Sequence, residues 1–200
     1  MVSAHDERLS FTYAEFPLES FRELVDLAHQ YTTNTTTANH STLVDLGSGC
    51  GRLVLYASLS LHNWRVQGVE ISPLLHDYAV QSLTRGVREG LFLDKNNNNN
   101  TQAQLHLGPV EPHTNALRNT SILFAYCTVW PTAGFSEALG AMILDSSWSR
   151  MLAEQCVDGC VVITTDRALD PKHGWVLLDR RDVSNPDVFG STGYVQVLRK

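Results

Sequence analysis

The feature that most constrains this 200-residue chain is an apolar segment that runs into an acidic residue and then into three alternate glycines, Leu43-Val-Asp-Leu-Gly-Ser-Gly-Cys-Gly51. The apolar residues around Asp45 are typical of the end of a buried parallel strand, and the residues from Arg52 onward have the apolar spacing of a helix. The glycines therefore lie at a strand-to-helix turn. There they can take positive φ and let a ligand rest on the backbone near the positive end of the helix. This pattern predicts a nucleotide-binding turn.

The spacing of the glycines distinguishes one nucleotide cofactor from another. A dinucleotide fingerprint needs G-x-G-x-x-G, and its last glycine falls here on Arg52 or on Val54. This mismatch disfavours the alternative of an NAD-dependent oxidoreductase. A second predicted strand, residues 64–70, ends in Glu70, whose carboxylate can accept hydrogen bonds from both hydroxyls of a free ribose.

The glycine pattern and the following strand together have the form of a known class of enzymes. Over residues 42–83, D-x-G-x-G-x-G followed by a strand that ends in Glu resembles the seven-strand (class I) S-adenosylmethionine-dependent methyltransferases. The resemblance implies S-adenosyl-L-methionine as the cofactor. It also implies an α/β fold, a doubly wound Rossmann-like seven-stranded sheet with helices on both faces and an antiparallel last strand pair.

Strands and helices alternate along the chain, which favours the same doubly wound sheet. Besides the elements named above, we predict helices over residues 16–30, 72–89, 135–144 and 147–156, and strands over residues 104–108, 121–130, 159–166, 174–181 and 193–199. Two polar segments, 31–41 and 96–100, have too little apolar surface to fold alone and are predicted loops. We expect one methyltransferase domain over residues 1–200, with an N-terminal helix and polar loop in 1–40 and the catalytic core in 42–200.

Composition and net charge limit the binding partners and the cellular compartment that we expect for this chain. The net charge is −6 and the longest basic cluster is Arg180-Arg181, so we expect no direct binding to nucleic acid. The four cysteines fall in predicted core or turn segments, which suits a reducing compartment, and no ligand set for a metal is predicted. The N-terminus lacks the pattern of a secretory signal, and no apolar run is long enough to span a membrane. We expect a soluble intracellular protein of the nucleus or the cytoplasm.

A narrower resemblance rests on four segments. Tyr13-Ala-Glu15, Val44-Asp-Leu-Gly-Ser-Gly-Cys-Gly51, Gly68-Val-Glu70 and Asn119-Thr-Ser-Ile-Leu-Phe124 together resemble the disruptor-of-telomeric-silencing family, the non-SET histone-lysine methyltransferases. This resemblance implies a protein lysine as the methyl acceptor. It also implies that Tyr13 and Glu15 fold over the methionine end of the cofactor, with Ala14 where the family has a glycine.

The chain departs from the family pattern on the acceptor side. The family's Asn-Asn-Phe-Ala-Phe segment after the fourth strand is matched here by residues 126–130, Tyr-Cys-Thr-Val-Trp, without the two asparagines. Trp130 keeps an aromatic residue, and Tyr194 resembles the tyrosine of the lysine channel. Aromatic walls attract an ammonium through their faces while burial favours the neutral amine, so they suit a lysine channel, although both residues also fit an ordinary core. The family's acidic contact to adenine is replaced by Gly108-Pro109-Val110, so that contact is absent or supplied otherwise.

These patterns define a set of candidate site residues. The candidate catalytic residues are Tyr126, Trp130 and Tyr194, and the candidate cofactor-binding residues are Tyr13, Glu15, Asp45, Gly47, Ser48, Gly49, Gly51, Glu70 and Ile71. Asp45 either stabilises the glycine turn and binds the methionine amino group of the cofactor through an intervening contact, or caps the following helix. Asp166 either lines the site or forms a turn. A small-molecule acceptor, a non-histone protein acceptor and a non-catalytic S-adenosylmethionine-binding module remain as alternatives to a histone-lysine methyltransferase.

Overall fold

The computed structural model describes residues 14–32, 41–61, 64–91, 103–110 and 114–200. The helices are α1 (Leu18–His29), α2 (Arg52–Ser60), α3 (Pro73–Arg88), α4 (Thr114–Arg118) and α5 (Ser146–Gln155). The strands are β1 (Ser41–Leu46), β2 (Trp64–Glu70), β3 (Ala103–Leu107), β4 (Ile122–Ala125), β5 (Thr132–Ser136), β6 (Ala141–Leu144), β7 (Val161–Thr165), β8 (Trp175–Val183) and β9 (Ser191–Leu198).

Seven of the strands form one sheet in the order β3-β2-β1-β4-β7-β9-β8. The pairs among β1, β2, β3, β4 and β7 are parallel, whereas β9 lies antiparallel to both β7 and β8. The predicted seven-stranded sheet with an antiparallel last pair is therefore confirmed. The strand order reverses between β1 and β4, which is the point at which an open α/β sheet leaves a crevice at the carboxyl ends of its strands.

Apolar side chains cover both faces of the sheet. On one face α1 buries Phe21, Leu24 and Val25 at helical spacing, and the ring of Phe21 meets that of Phe124 on β4 edge-on at 4.9 Å. On the other face Leu117 of α4 and Leu152 of α5 belong to a second core cluster. The sheet is thus buried on both sides, which explains the continuous apolar residues of its central strands.

The helix predicted over residues 135–144 is wrong, because this stretch forms the β5–β6 hairpin, in which Phe135 pairs with Met142. Gly140 takes a positive φ of 58° at the turn, a conformation that does not occur inside a helix. In β6 the side chain of Met142 is exposed, whereas Ala141, Ile143 and Leu144 are buried. Backbone bonds of 2.8 Å join Leu144 and Met142 to Ala168, so pairing with a distant loop outweighs the helical apolar spacing.

Two further differences follow from local geometry. The strand predicted over 121–130 ends at Ala125, and beyond it the N–H of Cys127 bonds the side-chain oxygen of Thr165 at 3.0 Å rather than a backbone carbonyl of β7. Helix α4 was not predicted, since its five residues are too few to show a period. Helix α5 is capped by Asp145, whose carboxylate accepts the N–H of Ser147 at 2.9 Å.

Two expectations from composition concern the cysteines and membrane-spanning segments. All four cysteines are free thiols, and Cys127, Cys156 and Cys160 are buried. Within the ranges that the structure describes, no helix has the length and apolar character needed to cross a membrane.

The packing of α1 on β9 generates a stability prediction. A Cβ on Gly193 would lie 2.7 Å from Cδ1 of Leu24, which is closer than side-chain carbons approach, so Gly193→Ala should lower the free energy of unfolding by about 1–3 kcal/mol. Chemical denaturation measures the loss. In Leu24→Ala the space is already open, so adding Gly193→Ala to that variant should cost less than it costs in the native chain. An equal cost in both backgrounds would contradict the proposed contact.

Candidate active site

The three glycines form a turn of left-handed backbone between β1 and α2. Their φ values are 80° for Gly47, 55° for Gly49 and 77° for Gly51. The N–H groups of Gly47 and Ser48 both donate to the carbonyl of Val69, at 2.9 and 3.1 Å, which ties the turn to β2. A Cβ on Gly51 would lie 2.8 Å from Cβ of Ala79, so this position also requires glycine for space. The turn therefore has the backbone that a bound nucleotide needs.

The carboxylate of Glu70 bridges the turn and the start of α3. It is 6% exposed, and it accepts the N–H of Gly49 on Oε2 and that of Ser72 on Oε1, both at 2.7 Å. Hydrogen bonds to a charged acceptor of this kind are among the stronger ones in proteins. Each carboxylate oxygen keeps a second acceptor position, so Glu70 can also receive hydroxyl groups of a ligand.

Asp45 lies beneath the turn at the end of β1. It is 2% exposed, and among the described residues its Oδ2 has no hydrogen-bond partner. Burial, and secondly the negative charge of Glu70, raise the pKa of Asp45 to about 7. The first residue before α2 is Gly51, and no described side chain caps this helix, so Asp45 does not play the capping role that was the alternative for it. Asp45 is thus a buried acid without a full set of partners.

Two of the candidate catalytic aromatics lie in the segment after β4, residues 126–130. Trp130 is half-buried and its Cζ2 lies 3.8 Å from where a Cβ of Gly47 would stand. The ring of Trp130 packs on that of Trp148 at a centroid distance of 4.5 Å. Tyr126 packs on Phe16 at 5.1 Å. This segment therefore places an aromatic side chain directly beside the glycine turn.

Tyr194, the third candidate catalytic residue, lies elsewhere in the site region. It is 5% exposed and belongs to a small cluster with Ala141, Ile143 and Ala168, beneath the β5–β6 hairpin. Burial raises the pKa of its phenol. The structure thus gives Tyr194 a packing role, and its part in binding an acceptor stays a prediction.

Of the two N-terminal candidates, Glu15 lies within the described residues and Tyr13 lies outside them. Glu15 is exposed and its carboxylate lies 3.1 Å from Nε of Arg52, the first residue of α2, and Arg52 also donates to the carbonyl of Phe16 at 2.6 Å. Residues 15 and 16 are therefore tied to the helix that follows the glycine turn.

Ser48 and Ile71 face in different directions. A Cβ on Gly68 would lie 2.7 Å from Oγ of Ser48, so this buried side chain packs against β2. Ile71, by contrast, is 42% exposed directly after Glu70. Leu107, which sequence reasoning missed, is also exposed and pairs with Glu70 across β2 and β3. Two aliphatic side chains thus flank the bridging carboxylate.

Sequence reasoning also missed Asn185. It lies 59 residues from Tyr126, yet its side-chain amide donates to the Tyr126 hydroxyl at 3.0 Å. Asp166 forms a turn, since it has a φ of 60° and its carboxylate accepts the N–H of Thr192 at 2.8 Å. No local pattern could have identified these contacts, because their partners come from separate parts of the chain.

The sheet order, the glycine turn and the acidic residue that ends β2 define a class I S-adenosylmethionine-dependent methyltransferase. The chain belongs to the family described as "Histone methylation protein DOT1", which matches residues 1–104. None of the curated proteins matches the chain. The cofactor of this class is S-adenosyl-L-methionine.

Solved structures agree with this class. The chain is similar to an RNA methyltransferase from Salinibacter ruber in complex with S-adenosyl-L-homocysteine, at 21% identity over 94% of this chain and 95% of that one, with a TM-score of 0.57. It is also similar to the rRNA methyltransferase AviRa from Streptomyces viridochromogenes (14%, 92% and 86%, TM-score 0.56). A third similar structure is an S-adenosylmethionine-dependent methyltransferase from Thiobacillus denitrificans (11%, 89% and 91%, TM-score 0.54). At these identities the likeness is one of fold.

The bridging role of Glu70 predicts a loss of cofactor binding in Glu70→Gln. Glutamine offers one acceptor oxygen and no charge, so the N–H of Gly49 or of Ser72 loses its partner. A hydrogen bond to a charged group contributes about 1.5–3 kcal/mol, so the Kd for S-adenosylhomocysteine should rise about 10- to 100-fold in titration calorimetry. Glu89→Gln is the control, because Glu89 is paired with Arg85 on the surface at the end of α3. Native-like binding by Glu70→Gln would show that the carboxylate is not part of the site.

The raised pKa of Asp45 predicts proton release on binding. If the ligand's ammonium group approaches Asp45, it favours the ionised carboxylate, so about half a proton should be released per S-adenosylhomocysteine bound at pH 7. Calorimetry in two buffers of different ionisation enthalpy measures this number. Asp45→Asn should abolish the release, and equal binding heats for the native chain in both buffers would contradict the assignment.

Asp45 should also make stability depend on pH. The pKa rises from 3.8 to about 7 on folding, so the contribution of Asp45 to stability is present below about pH 4 and is lost as the pH rises through 7. The free energy of unfolding of Asp45→Asn, relative to that of the native chain, should therefore increase between these pH values. Urea denaturation at pH 5 and at pH 8 measures this difference.

Proposed function

We propose that the chain transfers the methyl group of S-adenosylmethionine to a lysine side chain of a polypeptide. The observation that carries the proposal is the position of Trp130, whose ring lies against Gly47 in the glycine turn. Trp130 is the last residue of the segment after β4, so its ring forms an aromatic wall between this segment and the glycine turn. Membership of a family described by histone methylation supports a polypeptide acceptor.

In this proposal three groups hold the cofactor. The unpartnered Oδ2 of Asp45 suits the ammonium group of the methionine portion, because a cation offsets the cost of burying an ionised acid. The remaining acceptor positions of Glu70 suit the ribose hydroxyls. Ile71 and Leu107 flank Glu70 with exposed apolar surface that a base can cover. The residues present therefore fit S-adenosylmethionine.

The protein contributes alignment and exclusion of water. When bound, the cofactor supplies a methyl group on a positively charged sulfur. Tyr126 and Trp130 provide apolar surface on the acceptor side, where a lysine ammonium is attracted by aromatic faces and loses its proton more readily as it is desolvated. Holding the amine in line with the methyl group accounts for most of the acceleration in this type of reaction.

The acceptor side favours a polypeptide over RNA. Between residues 126 and 144 the chain carries one charged residue, Glu137, and no Lys or Arg, and the net charge of the whole chain is −6. Phosphate-rich partners are bound mainly through cationic groups, which this segment lacks. The hairpin that follows Trp130 instead exposes Phe135, by 63%, next to its cross-strand partner Met142. An apolar pair of this kind suits the side chains of a protein.

The proposal predicts where a labelled methyl group goes. With methyl-labelled S-adenosylmethionine and a cell lysate, the label should appear in a protease-sensitive, ribonuclease-resistant fraction and should be recovered as methyl-lysine after hydrolysis. Phe135→Ser combined with Met142→Ser should reduce the labelling of that fraction about tenfold. The reason is that an aromatic side chain that becomes buried when the acceptor binds contributes about 1.5–3 kcal/mol to binding. Val176→Ser, which changes an exposed apolar residue on β8, is the matched control and should not alter labelling.

Other outcomes of that experiment decide between the alternatives. Label that ribonuclease removes would replace the lysine acceptor with RNA, and label confined to small metabolites would replace it with a small-molecule acceptor. Binding of S-adenosylhomocysteine without label in any fraction would indicate a module that binds the cofactor without catalysis. Equal labelling by Phe135→Ser/Met142→Ser and the native chain would remove the hairpin from the acceptor site.

A further inference from the structure

A series of side-chain hydrogen bonds connects two residues of the 126–130 segment, Tyr126 and Thr128, through residues from other parts of the chain. The amide of Asn185 donates to the Tyr126 hydroxyl at 3.0 Å and to Oγ of Ser191 at 2.9 Å. Ser191 donates to the carboxylate of Asp166 at 3.2 Å, and Thr128 donates to the same carboxylate oxygen. The bonds thus close a ring whose other side is the backbone between Tyr126 and Thr128.

One polar atom of the buried Asn185 side chain has no hydrogen-bond partner among the described residues. Asn185 is 1% exposed, and no described residue bonds its Oδ1. Turning the amide around would let the oxygen accept from the two hydroxyls, but it would leave the NH2 group without acceptors, so one polar group is unsatisfied in either orientation. A buried unsatisfied amide costs free energy. The two bonds that its amide donates, to Tyr126 and to Ser191, therefore fix its orientation.

The far side of the ring is held rigidly to the sheet. Asp166 has a left-handed φ of 60°, an uncommon conformation for this residue, and it exchanges backbone and side-chain bonds with Thr192. Its neighbour Arg167 donates from Nη1 to the carbonyls of Cys127 and Thr128. Side-chain and backbone contacts from β7 and β9 thus meet on the same short segment, which ends at Trp130 beside the glycine turn.

We propose that Asn185 is a positioning residue for methyl transfer, which acts through Tyr126 and through Ser191 and Asp166 to hold the 126–130 segment on the acceptor side. The inference rests on the proposed function for its consequence in catalysis. Asn185 lies in the connection between β8 and β9 and not in the glycine turn or β2, so we assign it to the acceptor side alone. Its loss loosens the segment that carries Trp130 and leaves the glycine turn, Asp45 and Glu70 as they are.

The test compares Asn185→Ala and Ser191→Ala with Gln196→Ala. Gln196 is a matched control, because it is also a buried carboxamide and lies on β9. Both of its hydrogen bonds join Leu169, and neither joins the 126–130 segment. For each variant we would measure amide hydrogen exchange, the Kd for S-adenosylhomocysteine, and the KM and kcat for methylation of purified core histones.

We expect Asn185→Ala and Ser191→Ala to speed exchange of the 126–130 amides at least about fivefold, the effect of losing one buried hydrogen bond. The Kd for S-adenosylhomocysteine should not change, and KM for histones should rise more than kcat falls. Gln196→Ala should speed exchange near Leu169 and leave KM unchanged.

Three results would overturn the inference: unchanged exchange at 126–130 in Asn185→Ala, weakened cofactor binding in that variant, or an equal rise of KM in Gln196→Ala. Histones that take no label even from the native chain would exclude core histones and leave a lysine of another polypeptide as the acceptor, whereas the exchange data would still decide whether Asn185 holds the segment.

Discussion

The site depends on one interaction, the pair of hydrogen bonds by which the Glu70 carboxylate holds the N–H groups of Gly49 and Ser72. It links the turn after β1 with the start of α3, two segments that come from different strand-helix units. Since glycine has little conformational preference of its own, a turn with three of them needs such an external constraint. The ligand therefore binds to a turn whose backbone is already ordered before binding.

The same carboxylate also sets the electrostatics of the cleft. Its negative charge is one reason why Asp45 has a raised pKa, after the larger effect of burial. Two acids close together at the carboxyl end of a sheet are unfavourable while nothing positive lies between them. A cofactor that brings an ammonium group relieves this repulsion, so the acids destabilise the unliganded site and favour a cationic ligand.

The cofactor side of the molecule was predictable because its signals are local. The glycine spacing, the strand 64–70 and its terminal Glu70 all lie within one stretch of sequence, and the structure reproduces the limits of that strand. The hairpin after β4 was not predictable in the same way. The apolar residues of 135–144 fit a helical period as well as a strand, and the choice is made by the turn at Gly140 and by backbone bonds to Ala168. Tertiary pairing there outweighed local preference.

The acceptor side is built from contacts that no window of sequence contains. Asn185 and Ser191 lie near the end of the chain, yet their side chains belong to the bonds that hold Tyr126 and Thr128. In the proposed site, cofactor binding and acceptor binding therefore depend on different parts of the sequence, since the first rests mainly on residues 43–71 and the second on the segment after β4 and the β8–β9 connection. On this proposal, substitutions in that connection would alter acceptor binding while the glycine turn stays intact. A fold organised in this way allows one cofactor site to serve many acceptors.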